Sequence, residues 1–423
     1  MNLRLQFNTI SPVTINKELI RRENGLHLQV PFRLLTPDLV SFSEAKDPLY
    51  FEVFNLPAFQ RLKGVKALGF LAHVRDDWDT GDFKRVPSEE RGFPHSRMYH
   101  SILVARLTEA ILRENNFPEE EIKLGILAGL LHDVATPAGG DAIKGLNPKG
   151  LDEEDYWKDV IGLQGKKIIH NAGISTKDLN RAIHNEGIVG KVLDVADRIA
   201  YTYADTYYIR RIDIANMGPF PHIYPQQEIK VDREAEEIVF TDPFSLGEIL
   251  SKRAENFFEV YMFPTNRAAD MLIRRLVEPF YAEDGSRPLN SERLREMTDD
   301  ELFDFLHDQY GLLTADSFQK AFVSFSTEYY DASPSEVEVL MRHLQKRPEM
   351  IKIGAEWLPK VNPCTSYLVK HPSTGEVMPF REFDSIQAGI IELRTERRGP
   401  FFVYVYDASE PTRFNEVVKN VLG

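Results

Sequence analysis

Between residues 119 and 133 the chain reads EEEIKLGILAGLLHD, an apolar run that ends on two adjacent polar side chains, His132 and Asp133. Pro118 and the three acids after it mark a helix start, with negative charge near the positive end of the helix dipole. Ile122, Ile126, Leu127, Leu130 and Leu131 carry the helical spacing onward, and Pro137 with Gly139 and Gly140 is expected to stop it. A helix this apolar must either satisfy the His and Asp at its end locally or use them. Alone, a two-residue His-Asp motif would be read as a cap.

The doublet is not alone. His100 lies in FPHSRMYHSILV, at the head of a helical stretch through Ile102, Leu103, Leu107 and Ile111. Asp197 lies in VLDVADRIAYTYAD, where Asp194, Asp197 and Tyr201 repeat on one helical face. A His from one helix, a His-Asp pair from a second and an Asp from a third form a mixed nitrogen and oxygen donor set. Such a set suits Mn, Fe, Zn, Co or Ni better than Ca or Mg. The only cysteine is Cys364, which excludes an intrachain disulfide and a Cys-based zinc site.

Composition narrows the function classes. The 423 residues are 43% hydrophobic and 27% charged, ordinary for a folded protein of two or three domains. A net charge of −14 argues against a nucleic-acid-coating protein, but leaves room for a small phosphorylated substrate held by a few local cations. Asn2, Arg4 and Gln6 interrupt any signal-like apolar run, and Gly125–Leu131 is too short to span a bilayer. A cytoplasmic enzyme without a membrane partner is expected.

Along the chain, residues 1–45 alternate apolar and polar side chains (Leu3, Leu5, Phe7; Leu26, Leu28, Val30) and read as a strand-like segment. Phe59, Leu62, Val65, Leu68 and Leu71 then form a helical stripe, and the polar stretch 76–93 reads as a loop. Further helices are expected near 175–185, 189–208, 246–262, 266–281 and 299–307, strands near 366–370 and 401–406, and a closing helix near 412–422. The predicted architecture is mainly α: a strand-like segment at 1–45, a helical domain at 46–312 and a smaller α/β subdomain at 313–423.

These motifs, in this order, resemble the HD superfamily, and within it the deoxynucleoside triphosphate triphosphohydrolases of the dGTPase and SAM-and-HD-domain branch. LPAFQRLKGVKALG resembles that family's first helix, HSRMYHS, LLHD and DVADRIAYTYAD its three metal motifs, and SKRAENFFEVYMFPTNRAADMLIRRLVEPF the helices that follow. The resemblance runs from about Asp47 to Leu306. It implies that His100, His132, Asp133 and Asp197 bind a divalent transition metal, with Mg possible alongside the substrate. It implies that Arg97 reaches the phosphates and that Arg198, where relatives often carry Lys, does so too. Tyr201 and Asp205 match residues that read the sugar, Arg253 a phosphate-contacting Arg, and Tyr261 a sugar-packing Tyr. A homo-oligomer is also implied.

The departures concern the supporting residues. The family follows its doublet with a Gly-rich loop carrying a catalytic His and, later, a His-Glu pair. Here the loop reads ATPAGGDAIKG, with Thr136 at a position often His or Asn and Asp141 at the catalytic His, and the acidic run 152–155 stands in for the later pair. Ala67 replaces a Gln, Phe257 a pocket His and Met262 a Gln. Asp141, His170 and His184 are the candidates for acid–base work. Asp141, just after a Gly-Gly pair that lets the backbone turn sharply, is expected to be a base or water-orienting group, and His184 the acid. The expected activity is metal-dependent hydrolysis of a nucleotide phosphate, a deoxynucleoside triphosphate first, giving deoxynucleoside and triphosphate. The rivals are an HD hydrolase of nucleoside monophosphates or cyclic nucleotides, and a nucleotide-binding regulatory module.

Overall fold

The computed structural model describes residues 19–22, 25–28, 41–67, 96–210, 225–257, 261–262, 264–311, 327–331, 349–357, 367–396, 401–408 and 412–422, with positions 339, 342 and 347. The stripe positions Leu68 and Leu71, the loop 76–93 and the strand residues Leu3, Leu5, Phe7 and Val30 lie outside them. The fold is mainly α, with a short N-terminal sheet and a smaller strand-bearing C-terminal part. The N-terminal strands β1 (Leu19–Arg22), β2 (Gly25–Leu28) and β3 (Ser41–Phe42) form an antiparallel sheet. Helices α1 (Pro48–Phe54) and α2 (Pro57–Arg61) follow, each started by a proline in its first turn.

The helix expected over Phe59, Leu62 and Val65 is shorter than its apolar stripe. All three side chains are buried, but α2 passes into a 3-10 turn at Leu62–Gly64 and Val65 is extended. The Val65 carbonyl accepts the N–H of Arg97 at 2.8 Å and Lys66 pairs with Ser96, so the backbone is drawn out to bridge to the next helix.

That helix, α3 (Arg97–Glu114), is the centre of the molecule. Ser96 caps it by accepting the Tyr99 N–H, and every side chain from Met98 to Leu112 is buried. Helix α4 (Glu119–Leu131) starts after Pro118 and stops at His132, earlier than Pro137, because His132 and Asp133 turn the chain into a loop. The short α5 (Asp141–Lys144) is followed by α6 (Glu153–Val160), α7 (Gly162–Asn171), α8 (Thr176–Ile183) and the long α9 (Gly187–Arg210). Asp152 and Ser175 cap α6 and α8 with their side chains. Both α4 and α9 pack along α3, and α8 closes against them.

The remaining helices are α10 (Pro225–Glu228), α11 (Pro243–Asn256), α12 (Pro264–Val277), α13 (Ser291–Glu296) and α14 (Asp299–Tyr310). The strands β4 (Ile229–Asp232) and β5 (Glu237–Phe240) form a hairpin. β6 (Thr327–Asp331) and β7 (Met350–Trp357) flank the later β10 (Phe401–Asp407) in one antiparallel sheet. β8 (Leu368–Lys370) pairs parallel with β5 and antiparallel with β9 (Val377–Pro379), making a second sheet from distant parts of the chain. Helices α15 (Phe380–Phe383), α16 (Ser385–Glu396) and α17 (Arg413–Leu422) complete the description.

Two apolar cores result. One is built on α3, α4, α8 and α9, with Tyr367, Val369 and Phe380 of the C-terminal part packed into it. The other gathers α12, α13, α14, β7, β10 and α17 around Leu272, Phe303 and Tyr404. The segment after the His-Asp doublet crosses between them: Val134 belongs to the first core and Ala138 to the second.

Close approach of α3 and α4 depends on small residues. A Cβ on Gly129 would lie 2.5 Å from the Ala105 Cα, and one on Gly125 2.5 Å from a Leu112 methyl. Backbone cannot yield as a side-chain tip can, so Gly129→Ala is expected to cost about 1–3 kcal/mol, the range for overpacking. The urea midpoint checks this. No change would show that the two helices separate freely.

Candidate metal and phosphate site

Three helices aim donor atoms at one point. His100 comes from the first turn of α3, His132 from the end of α4 and Asp197 from the middle of α9. One donor atom from each lies within 4.8 Å of the others. His100 Nε2 is 2.8 Å from Asp197 Oδ1, and His132 Nε2 is 3.9 Å from the same oxygen. Asp133 stands beside them, its Oδ2 3.7 Å from both imidazole Nε2 atoms.

His132 is pre-set for ligation. Its Nδ1 is 2.9 Å from the Gly129 carbonyl, which can only accept, so Nδ1 carries a proton and Nε2 of the neutral ring offers its lone pair. That Nε2 is buried and has no hydrogen-bond partner among the described residues. A buried polar atom left this way is expensive unless something binds it. The donor set therefore fits a transition-metal cation.

Electrostatics in the cluster run in opposite directions for its members. Burial alone would lower the pKa of His100, but the hydrogen bond and charge of Asp197, with the charge of Asp133, raise it. Burial would raise the Asp197 and Asp133 carboxyls, yet both are held low, Asp197 by His100 and His132 and Asp133 mainly by Arg97.

Around Asp133 the charges alternate in sign. Arg97 Nη1 is 2.9 Å from Asp133 Oδ2, and its Nη2 is 3.6 Å from Asp141 Oδ2. Lys144, one turn after Asp141 on α5, lies 2.9 Å from Asp141 Oδ1 and also pairs with Glu153. Gly139 and Gly140 both take positive φ (79° and 54°), the sharp turn expected ahead of Asp141. The Asp141 side chain is 70% exposed. Desolvation there works against its ionisation, and Lys144 and Arg97 outweigh it, so its pKa is lowered. Glu153 goes the other way: burial, with Asp133 and Asp141 nearby, outweighs Lys144 and raises it.

Farther along α9 the side chains turn towards α11 and the C-terminal part. Arg198 Nε is 2.8 Å from Asp194 Oδ1, and its Nη1 is 3.3 Å from the Tyr367 hydroxyl. The Arg253 guanidinium lies 5.8 Å from the Tyr201 ring centre. The Tyr261 hydroxyl donates to Asp205, a buried carboxyl pushed up to about 6 by desolvation.

His184 sits elsewhere. It ends α8 with Nδ1 2.8 Å from the Asn180 carbonyl and Nε2 3.2 Å from Asp155 Oδ1, outside the group of converging donor atoms. Its pKa is raised: partial burial is outweighed by the Asn180 and Asp155 hydrogen bonds. His170 is exposed in the last turn of α7. Thr136 is buried in the loop after the doublet.

Several neighbours were not anticipated from sequence. Glu153 lies in the acidic run 152–155, which the sequence singles out without giving it a partner, and Lys144 follows Asp141 at helical spacing with nothing else to mark it. Tyr367 arrives from a distant strand. Arg61 and Asp299 shape the site from below. Arg61 donates to the carbonyls of Met297, Val134 and Thr136 at 2.8, 3.0 and 2.7 Å. Asp299 accepts the N–H groups of Gly139 and Lys66 at 2.7 and 2.8 Å.

Residues 97–202 match the HD domain family. The chain carries an HD domain. Its match spans α3 to α9 and includes His100, His132, Asp133 and Asp197. An uncharacterized protein of Methanocaldococcus jannaschii is 24% identical over 304 residues, covering 69% of this chain. The matched region spans only 59% of that relative's length. Among solved structures, the chain is similar to a hypothetical protein of Aquifex aeolicus, with TM-score 0.59, 19% identity and coverage of 88% of this chain and 98% of the other. It is also similar to a phosphohydrolase of Bacteroides thetaiotaomicron, with TM-score 0.63, 12% identity and coverage of 89% and 100%. These likenesses establish a shared fold around the HD domain. No described helix is long and apolar enough to cross a membrane.

Metal binding to this HD domain should depend on pH. Ligation needs neutral imidazole, whereas His100 holds its proton above the ordinary value of 6.5. Affinity is expected to be level above the raised His100 pKa and to fall about tenfold per pH unit below it, the slope for one displaced proton. Titration with Mn or Co followed by calorimetry or absorbance checks this. Affinity flat from pH 5 to 8 would rule out His100 as a ligand. Asp197→Ala should abolish binding while circular dichroism stays unchanged.

Proposed function

We propose that this protein is a metal-dependent phosphohydrolase acting on nucleotide phosphates, deoxynucleoside triphosphates above others, and releasing deoxynucleoside and triphosphate. The observation that carries the reading is the convergence of His100, His132 and Asp197 beside Arg97, whose buried Nε has no hydrogen-bond partner among the described residues. The phosphohydrolase of like fold from Bacteroides thetaiotaomicron points the same way.

His100, His132, Asp133 and Asp197 would hold the cation. When bound, a divalent transition metal supplies Lewis-acid activation of water and of a phosphoryl oxygen. Arg97, locked on Asp133, presents the planar fork that suits phosphate oxygens, and the longer contact to Asp141 is the one a phosphate would displace. Arg198, beside Tyr367, and Arg253, over the Tyr201 ring, would add positive charge from α9 and α11. Asp205 and Tyr261, bonded to each other in a buried corner, would read the sugar hydroxyl. Asp141, kept ionised by Lys144 and Arg97, orients or deprotonates the attacking water. His184 is the acid candidate: its pKa is raised, but its Nε2 proton would have to leave Asp155, apart from the converging donors, to reach the leaving oxygen.

Product release from a panel of deoxynucleoside triphosphates, nucleoside monophosphates and cyclic nucleotides, with Mn or Fe added, tests the reading. Triphosphate release from the deoxynucleotides is expected. Tight deoxynucleotide binding with no turnover would instead make the protein a nucleotide-binding regulatory module. One feature favours that alternative: Asp141 stands where the resembling enzymes keep a catalytic histidine.

Asp141→Asn is expected to cut kcat at least about a hundredfold, the lower end for an acid–base residue, with KM little changed. His184→Ala should be strongly defective on nucleotides and much less so on a p-nitrophenyl phosphoester, whose leaving group needs no proton. Equal defects on both substrates would remove His184 from the acid role.

A further inference from the structure

A cationic cavity lies against the end of α5. Its volume is about 660 Å³, within the roughly 300–1,000 Å³ usual for small-ligand sites, and it opens to solvent. Arg274, Arg275, Arg287 and Lys352 line it, against the single acid Glu278. A fourfold excess of cation over acid is unexpected by chance in a chain of net charge −14. The four come from three separate places: the last turn of α12, the loop after it and β7.

Local roles account for only part of this. Arg275 pairs with Glu278 at 3.0 Å, and Arg287 donates to the Glu278 and Tyr281 carbonyls. Cations in the last turn of α12 also suit its dipole. Neither explains Lys352, which projects from β7 and makes no ion pair among the described residues. Arg274 is anchored rather than free. Its Nε donates to the Ala142 carbonyl at 2.8 Å, and its guanidinium lies so close over Gly145 that a Cβ there would meet it at 2.1 Å. A held guanidinium facing exposed cations on two other elements is an arrangement that suits a multiply charged oxyanion.

The geometry points to a binding site in this cavity for a small, soluble, phosphate-bearing anion, distinct from the metal and phosphate site. The apolar floor of Met271 and Ile353 leaves room for an uncharged portion of such a ligand. Arg274 also holds α5, the four-residue helix that carries Asp141 and Lys144, so a ligand here would sit against the end of that helix. Binding of such an anion here requires no hydrolysis.

Pyrophosphate is the probe, titrated calorimetrically into metal-free protein. The cavity variant is Arg287→Ala with Lys352→Ala, two exposed side chains whose loss leaves both cores intact. The control variant is Arg97→Ala with Arg198→Ala. The expected result is binding that persists in the control and weakens at least tenfold in the cavity variant, with unchanged circular dichroism. Raising the salt should weaken it further. Binding lost in the control and kept in the cavity variant would overturn the proposal, as would no binding to wild-type protein at millimolar pyrophosphate.

Discussion

Everything at the candidate metal site depends on how near α4 lies to α3. At the Ala105–Gly129 crossing, backbone meets backbone with no side chain between. Only there can a His at the end of one helix face a His in the first turn of the other, with ring centres 5.5 Å apart. The same glycine contributes the carbonyl that orients His132, so one residue sets both the distance and the tautomer. Burial follows from that packing, and it raises the strength of every charge interaction in the cluster.

Burial of charge at this depth is tolerated because signs alternate. Asp133, Arg97, Asp141, Lys144 and Glu153 form a continuous line in which each charge has an opposite neighbour. Ion pairs of this sort contribute little net stability and are severely damaging when one partner is removed. The line runs from Asp133, beside the candidate metal cluster, through the exposed Asp141 to Glu153, so a charge arriving at Asp141 would be felt along its length.

The donor residues were legible in the sequence because local helical spacing and motif order are enough to find them. Periodicity located α3, α4 and α9, and the Gly-Gly pair before Asp141 foretold its turn. What periodicity could not show was anything decided by distant backbone. The stripe through Phe59, Leu62 and Val65 is buried as a helical stripe should be, yet the helix breaks because Val65 must reach Arg97. Tyr367 meets Arg198 only because β8 pairs with β5, and neither strand is long enough to announce its partner. The acidic run holding Glu153 was visible, but its pairing with Lys144 across the intervening loop was not.

The loop after the doublet is fastened by residues remote in sequence. Arg61 holds it from one side, Leu294 bonds to Ala138, and Asp299 closes over Gly139. The HD match ends at residue 202, so the contacts from Leu294 and Asp299 come from beyond it and the Arg61 contacts from before it. The turn that delivers Asp141 is therefore held from outside the matched domain on both sides, and a fragment confined to residues 97–202 would lack every one of these fastenings.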